Sequence, residues 1–427
     1  MKRIWWLWLF LPLAIAAAEI PEAVFPAGAG INIHFVTGHE SELDMITAAG
    51  FKFVRMDFSW EGTEKQKGQY DWSEYDELTA NLDKRGLRAV YILDYSHPLY
   101  EEAVESKDPT TGKMRKTTAS PQHAESVAAF ASWAVAATRH FHGRHILWEI
   151  WNEPNIQFWS PKPDAEQYSR LAVAACKAIR AAEPGATIIG PASSSFPWKF
   201  LENFLESGVL EYLDAVSVHP YRDYHRGPET AAADYVRLRE LIDRFAPEAK
   251  RGRIPILSGE WGYATHKKGV SLETQAAFAV RQQLSNLLNG VPLSIWYDWR
   301  DDGPDSAERE HNFGTVTMEL KPKPAYLALQ RFSRELSGYR VVRRLSLESE
   351  DDYVIVCANA AGKQKLAAWT LGEPRTIQLK MESEDGHSLV YAAGDGESST
   401  LIVKSGQVLL PLSPLPCYLT LGNSVLK

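Results

Sequence analysis

One pattern constrains this chain more than any other: an alternation of two kinds of segment that repeats eight times between residue 28 and about residue 336. Short apolar runs at 30–35, 51–58, 87–95, 146–151, 186–192, 213–219, 254–259 and 291–299 have strand length. Between and after them, amphipathic segments of helical period occupy 41–49, 73–85, 121–141, 165–182, 198–205, 231–245, 272–288 and 325–336. Gly86 and Gly290 stand where helices should stop. Eight β-α units in about 300 residues predict a closed (β/α)8 TIM barrel rather than an open sheet. The stretch Gly28-Ala29-Gly30 precedes a strand instead of opening a helix, so it is not a phosphate loop.

Beyond residue 336 helical periodicity ends. Alternating stretches such as YVIVCAN, KLAAWTL and QVLLPL, punctuated by Gly, Asn and Asp, predict a small antiparallel β-sandwich over 337–427, with packing against the barrel as its default role. At the other end, MKRIWWLWLFLPLAIAAAE joins a basic start to an apolar run too short for a comfortable membrane span. Residues 1–18 read as a signal peptide and the catalytic barrel as 19–336. The protein is then secreted or periplasmic, and membrane-associated only if that segment is uncleaved.

Net charge is −8, and no basic run interleaves with aromatics, which argues against nucleic acid as a partner. Of the three cysteines, Cys176 reads as a buried helical residue, while Cys357 and Cys417 lie in strand-like stretches and could pair in an oxidising compartment. No CxxC or HExxH is present, and no metal or cofactor is expected. The group His140, His142, His145 falls at a helix end, where imidazoles suit the helix dipole better than they suit a metal.

In such barrels the chemistry sits at the C-terminal ends of the strands. Residues 148–155 read WEIWNEPN. Alternation puts Glu149, Trp151 and Glu153 nominally on one face, with the glutamates roughly 13 Å apart along the strand and Glu153 at the mouth. Glu149 is expected deeper, as an interior carboxylate for a barrel arginine such as Arg55. On the seventh strand Ile256, Ser258 and Glu260 share a face, again with the glutamate at the mouth. Other rim candidates are Asn32 and His34 (first strand), Arg55 (second), His97 (third), His219 and Tyr221 (sixth), and Trp296 and Trp299 (eighth). Polar side chains converging on one rim beside tryptophans describe a sugar site, and two opposed carboxyls are the minimum equipment for glycoside hydrolysis.

The motifs WEIWNEPN and LSGEWGY resemble the strand-four and strand-seven signatures of the clan A retaining glycoside hydrolases. Glu149, four residues before the motif glutamate, makes the chain most similar to family 39, with family 5 as the near alternative. Secreted bacterial exopolysaccharide glycosidases of the family 39 type share the order of secretory segment, barrel and small sandwich. The resemblance covers about residues 28–427. It implies Glu153 as acid/base, Glu260 as nucleophile and Asn152 as the residue holding the sugar 2-hydroxyl. It also implies Arg55, His219 and Tyr221 near the nucleophile, and Trp296 or Trp299 as a platform under the reacting sugar. Strict alternation would turn Asn152 away, so the strand must leave its regular path there.

The expected function is therefore retaining β-glycosidase action on an oligo- or polysaccharide. The rivals are a catalytically inactive polysaccharide-binding barrel and a transglycosylase using the same residues. Loops 100–120 and 300–318 are expected to shape the cleft, with Asp301, Asp302 and Asn312 as further hydroxyl partners and 104–118 as the part most open to disorder.

Overall fold

The computed structural model describes residues 19–107, 112–422 and 425–426. The expected signal segment, 1–18, lies outside the described residues. Among those described, no helix is long and apolar enough to cross a membrane.

Eight parallel strands close into a barrel: β1 Ala29–Asn32, β2 Phe53–Ser59, β3 Arg88–Asp94, β4 Leu147–Ile150, β5 Thr187–Ser194, β6 Ala215–His219, β7 Ile256–Trp261 and β8 Ser294–Trp296. Each is followed by its helix: α1 Glu40–Ala48, α2 Ser73–Asp83, α3 Ala124–His140, α4 Ala165–Ala182, α5 Trp198–Glu206, α6 Ala232–Phe245, α7 Leu272–Leu288 and α8 Pro324–Leu336. Every expected strand and helix is present, with ends displaced by a few residues. Local chemistry marks the helix starts: Asp164 accepts from the backbone N–H groups of Glu166 and Gln167, and Ser271 from that of Thr274.

The lower barrel is filled by one apolar side chain from most strands, namely Phe53, Val90, Leu147, Ile189, Ala215, Leu257 and the pair Leu293 and Ile295. This layer fixes the phase of each strand, and two expectations fail on it. With Leu257 inside, Ile256 and Ser258 face the helices, and Glu260 reaches the mouth because the register between β7 and β8 slips between Ser258 and Trp261. With Leu293 and Ile295 inside, Trp296 must point outward.

The C-terminal region contains β9 Tyr339–Arg344, β10 Asp352–Asn359, β11 Gln364–Thr370, β12 Arg375–Glu382, β13 Ser388–Ala392, β14 Ser398–Ile402, β15 Gln407–Leu412, β16 Cys417–Gly422 and β17 Val425–Leu426. They form an antiparallel six-stranded sheet, β9-β10-β11-β16-β13-β14, and a three-stranded one, β15-β12-β17. Alternation gives the large sheet two apolar faces. Val354, Val356, Leu366, Leu419 and Cys417 fill the sandwich interior, whereas Ile355, Cys357, Ala367, Trp369 and Tyr418 join the core shared with the barrel. Cys357 and Cys417 thus lie on opposite faces and are free thiols, so the possible disulfide does not form.

In the loop after β3, the part most open to disorder, Ala103–Lys107 pairs antiparallel with Met114–Thr118, while residues 108–111 lie outside the described residues. The three histidines at the end of α3 bond three separate carboxylates: His140 to Asp76, His142 to Glu183 and His145 to Glu19. They form a solvated helix end.

Candidate active site

Arg55 organises the mouth of the barrel. It projects from β2 just above the apolar layer and is buried to 1% exposure. All its polar edges are used. Nε donates to Glu149 Oε2 at 2.7 Å, and Nη1 to Glu260 Oε2 at 2.7 Å and Asn32 Oδ1 at 3.2 Å. Nη2 donates to Asn152 Oδ1 at 2.8 Å and lies 3.2 Å from His219 Nε2. One guanidinium thereby fixes residues from β1, β4, β6 and β7, which only a planar five-donor group can do. Glu149 is the expected interior partner. It fits because Gly259 faces it: a Cβ there would sit 3.1 Å from Glu149 Oε1.

The guanidinium has no acceptor, so His219 Nε2 must accept from it. The ring proton then sits on Nδ1, which donates to Glu153 Oε1 at 2.9 Å. Glu260 receives the Tyr221 hydroxyl on Oε1 at 2.8 Å. Burial alone would push the Glu260 carboxyl up, but the Arg55 charge and the Tyr221 and Arg55 hydrogen bonds outweigh it and hold the group below the usual carboxylate range.

Asn152 faces the site because the chain after β4 abandons the pleat. Trp151 (φ 68°) and Glu153 (φ 45°) are left-handed, a conformation that costs side-chain-bearing residues energy and must be held by its surroundings. Holding it are Glu153 N–H on Ala192 O at 3.0 Å and a pair of bonds between the Asn155 amide and the Ser194 backbone. Trp151 turns out to pack on Phe130 and Trp159, and Asn152 turns in to Arg55 while donating to the Tyr95 hydroxyl at 2.8 Å.

On the opposite rim, His34, just beyond β1, meets Asp298, just beyond β8, at 2.9 Å. Burial works against the imidazolium, but Asp298 overrides it and raises His34 to about 9. Burial pushes Asp298 up to about 6. Beside them lie Asp57 and the fully buried Asp94, whose carboxyl oxygens have no hydrogen-bond partner among the described residues; both carboxyls are raised, chiefly by burial. Tyr297, half-buried, sets its ring edge-on to His34 and Phe313.

Asn32, His34, Arg55, Asn152, Glu153, His219, Tyr221 and Glu260 therefore converge as expected. Three candidates do not. His97 is buried, with Nε2 on Glu64 O and Nδ1 accepting from Leu99 N–H, so its ring supports the chain. Trp296 is fully buried and packs near Tyr263 outside the barrel. Trp299 donates to Glu42 at 2.7 Å and packs on Tyr326 of α8. In the last loop Asp301 pairs with Lys323, and Asn312 bonds the carbonyls of Asp305 and Glu308, which leaves only Asp302 near the rim. Asp57, Asp94, Tyr297 and Asp298 were missed. Counting the β2 phase upward from Arg55 would have found Asp57. Tyr297 needed the phase of β8.

Two groups have metal-ligand spacing among the described residues: His34, Asp298 and Asp302, and Glu153, His219 and Glu260. In the first, His34 already spends Nε2 on Asp298. In the second, the proton on His219 Nδ1 occupies the lone pair a metal would need.

Comparison with known proteins bears on the fold. A family 39 glycoside hydrolase from Bacteroides cellulosilyticus WH2 has the same fold, with TM-score 0.78, 23% identity and coverage of 95% of this chain and 82% of that one. A monomeric β-xylosidase from Caulobacter crescentus CB15 also superimposes, with TM-score 0.65, 17% identity and coverage of 95% and 97%. In sequence, a β-xylosidase from Caldicellulosiruptor saccharolyticus is 23% identical over 51% of this chain and 48% of its own length, so the chain spans about half of that relative. The sequence reading placed family 39 first and family 5 second, and both appear. The model of the cellulase family, glycosyl hydrolase family 5, matches residues 22–302, well over half of the chain, and to that clan A family the chain belongs.

Proposed function

We propose that the protein is a retaining β-glycosidase in which Glu260 is the nucleophile and Glu153 the acid/base. One observation carries this reading: an oxygen of Glu153 and an oxygen of Glu260 lie within 4.8 Å of each other. Retaining enzymes hold their carboxyls about 5–5.5 Å apart, whereas inverting ones need about 6.5–9.5 Å to admit a water.

Glu260, kept ionised by Arg55 and Tyr221, attacks the anomeric carbon as the bond to the leaving oxygen breaks. Glu153 Oε1 accepts from His219, so the proton for the leaving oxygen is carried on Oε2. The sugar is then esterified to Glu260. Water attacks the same carbon, Glu153 takes its proton, and the Glu260 carboxylate is released. Configuration is retained through the two inversions. Asn152 has used its carbonyl on Arg55 and one N–H on Tyr95, which leaves one N–H for a sugar hydroxyl. A binding-only barrel has no use for an ionised carboxylate held against a paired acid.

The β-xylosidases among the relatives make an aryl β-xyloside the first substrate to test, and the basic-then-apolar N-terminus supports action outside the cytoplasm. Hydrolysis should be lost in Glu260→Gln and Glu153→Gln, and proton NMR should show the β-anomer as the first sugar released. Near-normal turnover in Glu260→Gln, or first release of the α-anomer, overturns the assignment.

A further inference from the structure

The C-terminal sandwich makes several polar contacts with the barrel, through Arg331, Lys365 and Trp369, and the last of these lies nearest the site. Trp369, on β11, donates its indole N–H to Glu229 Oε1 at 2.9 Å. Glu229 lies in the short helical turn Pro228–Ala231 that ends the loop after β6. The same carboxylate takes a fork from Arg281 of α7, with Nε to Oε1 at 2.7 Å and Nη2 to Oε2 at 2.8 Å. All three side chains are buried. The loop is moulded onto this pair, for a Cβ on Gly227 would lie 2.7 Å from Glu229 Oε2 and 2.8 Å from Arg281 Nη2. A buried charge pair of this kind tolerates no missing partner.

Two segments meet there. The first begins with Tyr221, whose hydroxyl holds Glu260, and ends at Glu229. The second leaves Glu260 and reaches Tyr263. Tyr263 donates to Arg226 O at 2.9 Å and packs on Phe278, whose ring lies under Arg281. The Tyr221–Glu260 hydrogen bond and the Glu229–Arg281–Trp369 cluster are therefore opposite ends of one closed frame. Its last strut comes from the sandwich.

We propose that Trp369 is a positioning residue for the nucleophile. By completing the donor set of Glu229 it fixes residues 221–229, and through them the Tyr221 hydroxyl on Glu260. The sandwich is then a working part of the active site. This rests on the proposed assignment of Glu260.

The test compares Trp369→Phe, which removes the N–H and keeps an aromatic ring on Tyr353, with Lys365→Ala. The latter cuts a separate contact between the sandwich and α8, the Lys365–Glu335 pair at 3.1 Å. Trp369→Phe should lower kcat on an aryl β-xyloside about ten-fold with little change in KM, and raise the acid limb of kcat/KM by about half a pH unit. Lys365→Ala should do neither. Tyr221→Phe should raise the same limb, and the double variant Trp369→Phe/Tyr221→Phe no further. Hydrogen exchange should show residues 221–229 losing protection in Trp369→Phe alone. If Trp369→Phe does not fold, Glu229→Gln probes the frame from the barrel side. An unmoved acid limb with unchanged exchange, or identical effects of Trp369→Phe and Lys365→Ala, overturns the proposal. If the intact protein hydrolyses no glycoside, the functional reading falls, and the exchange comparison alone still decides whether Trp369 anchors the loop.

Discussion

Glu149→Gln is the sharpest probe of the arrangement at the mouth. Glu149 is fully buried, 2.7 Å from Arg55 Nε, and its other oxygen has no hydrogen-bond partner. Breaking a buried ion pair by removing one partner costs about 3–5 kcal/mol. Two features place this case at the lower end: the glutamine carbonyl can still accept from Nε, and Arg55 keeps Glu260 as a counter-ion. A loss of about 3 kcal/mol is expected, read as a lower urea midpoint by tryptophan fluorescence. The effect on activity has a definite sign. Glu149 and Glu260 are like charges competing for one guanidinium, so Glu149 favours the protonated form of Glu260 while Arg55 favours the ionised one. With the competitor neutral, Glu260 should ionise more readily and the acid limb of kcat/KM should move to lower pH. The rate at the optimum should fall by about ten-fold, because a neutral glutamine anchors Arg55, and with it the other four contacts, less firmly. A stability loss under about 1 kcal/mol, or an acid limb that moves upward, refutes the idea that one arginine is shared between the two glutamates.

Further outcomes follow from the same geometry. Burial and the adjacent Asp57 raise Asp94 well above the ordinary carboxyl range, so the folded chain keeps a proton that the unfolded chain releases above about pH 4. Stability is fully present below that pH and declines as pH rises toward the folded value. Asp94→Asn removes the ionisable group and with it the linkage, so its Tm relative to wild type should climb from pH 4 to pH 7; a constant difference would be the wrong result. Tyr297 and Trp296 are adjacent but face opposite ways. Tyr297→Ala should raise KM for a glycoside with little loss of stability. Trp296→Phe should cost about 2 kcal/mol of stability and leave KM unchanged, and an increase in KM would return the tryptophan to the sugar platform.

Much of this was legible in the residues. The eight-fold alternation dictated a closed barrel, because each strand and helix can bury its apolar face only against the other kind of element. WEIWNEPN and LSGEWGY located both glutamates, because strand ends are where such barrels present chemistry. Glu149 was separable from Glu153 by depth alone. The residues could not give the phase of strands whose two faces are both apolar. On β7 and β8 both faces carry apolar side chains, Ile256 and Trp296 outward and Leu257, Leu293 and Ile295 inward, so alternation offered no way to choose, and Trp296 was placed inside. Nor does any spacing rule foresee a left-handed pair at Trp151 and Glu153, which depends on bonds to β5 from residues far along the chain. Pairings that bridge elements, such as His219 Nδ1–H on Glu153 and Trp369 on Glu229, exist only once closure brings distant strands together. The sequence by itself determined which chemistry the rim would carry. Tertiary packing decided which of those side chains face one another, since burial inside a closed barrel leaves room for only one register and one set of hydrogen-bond partners.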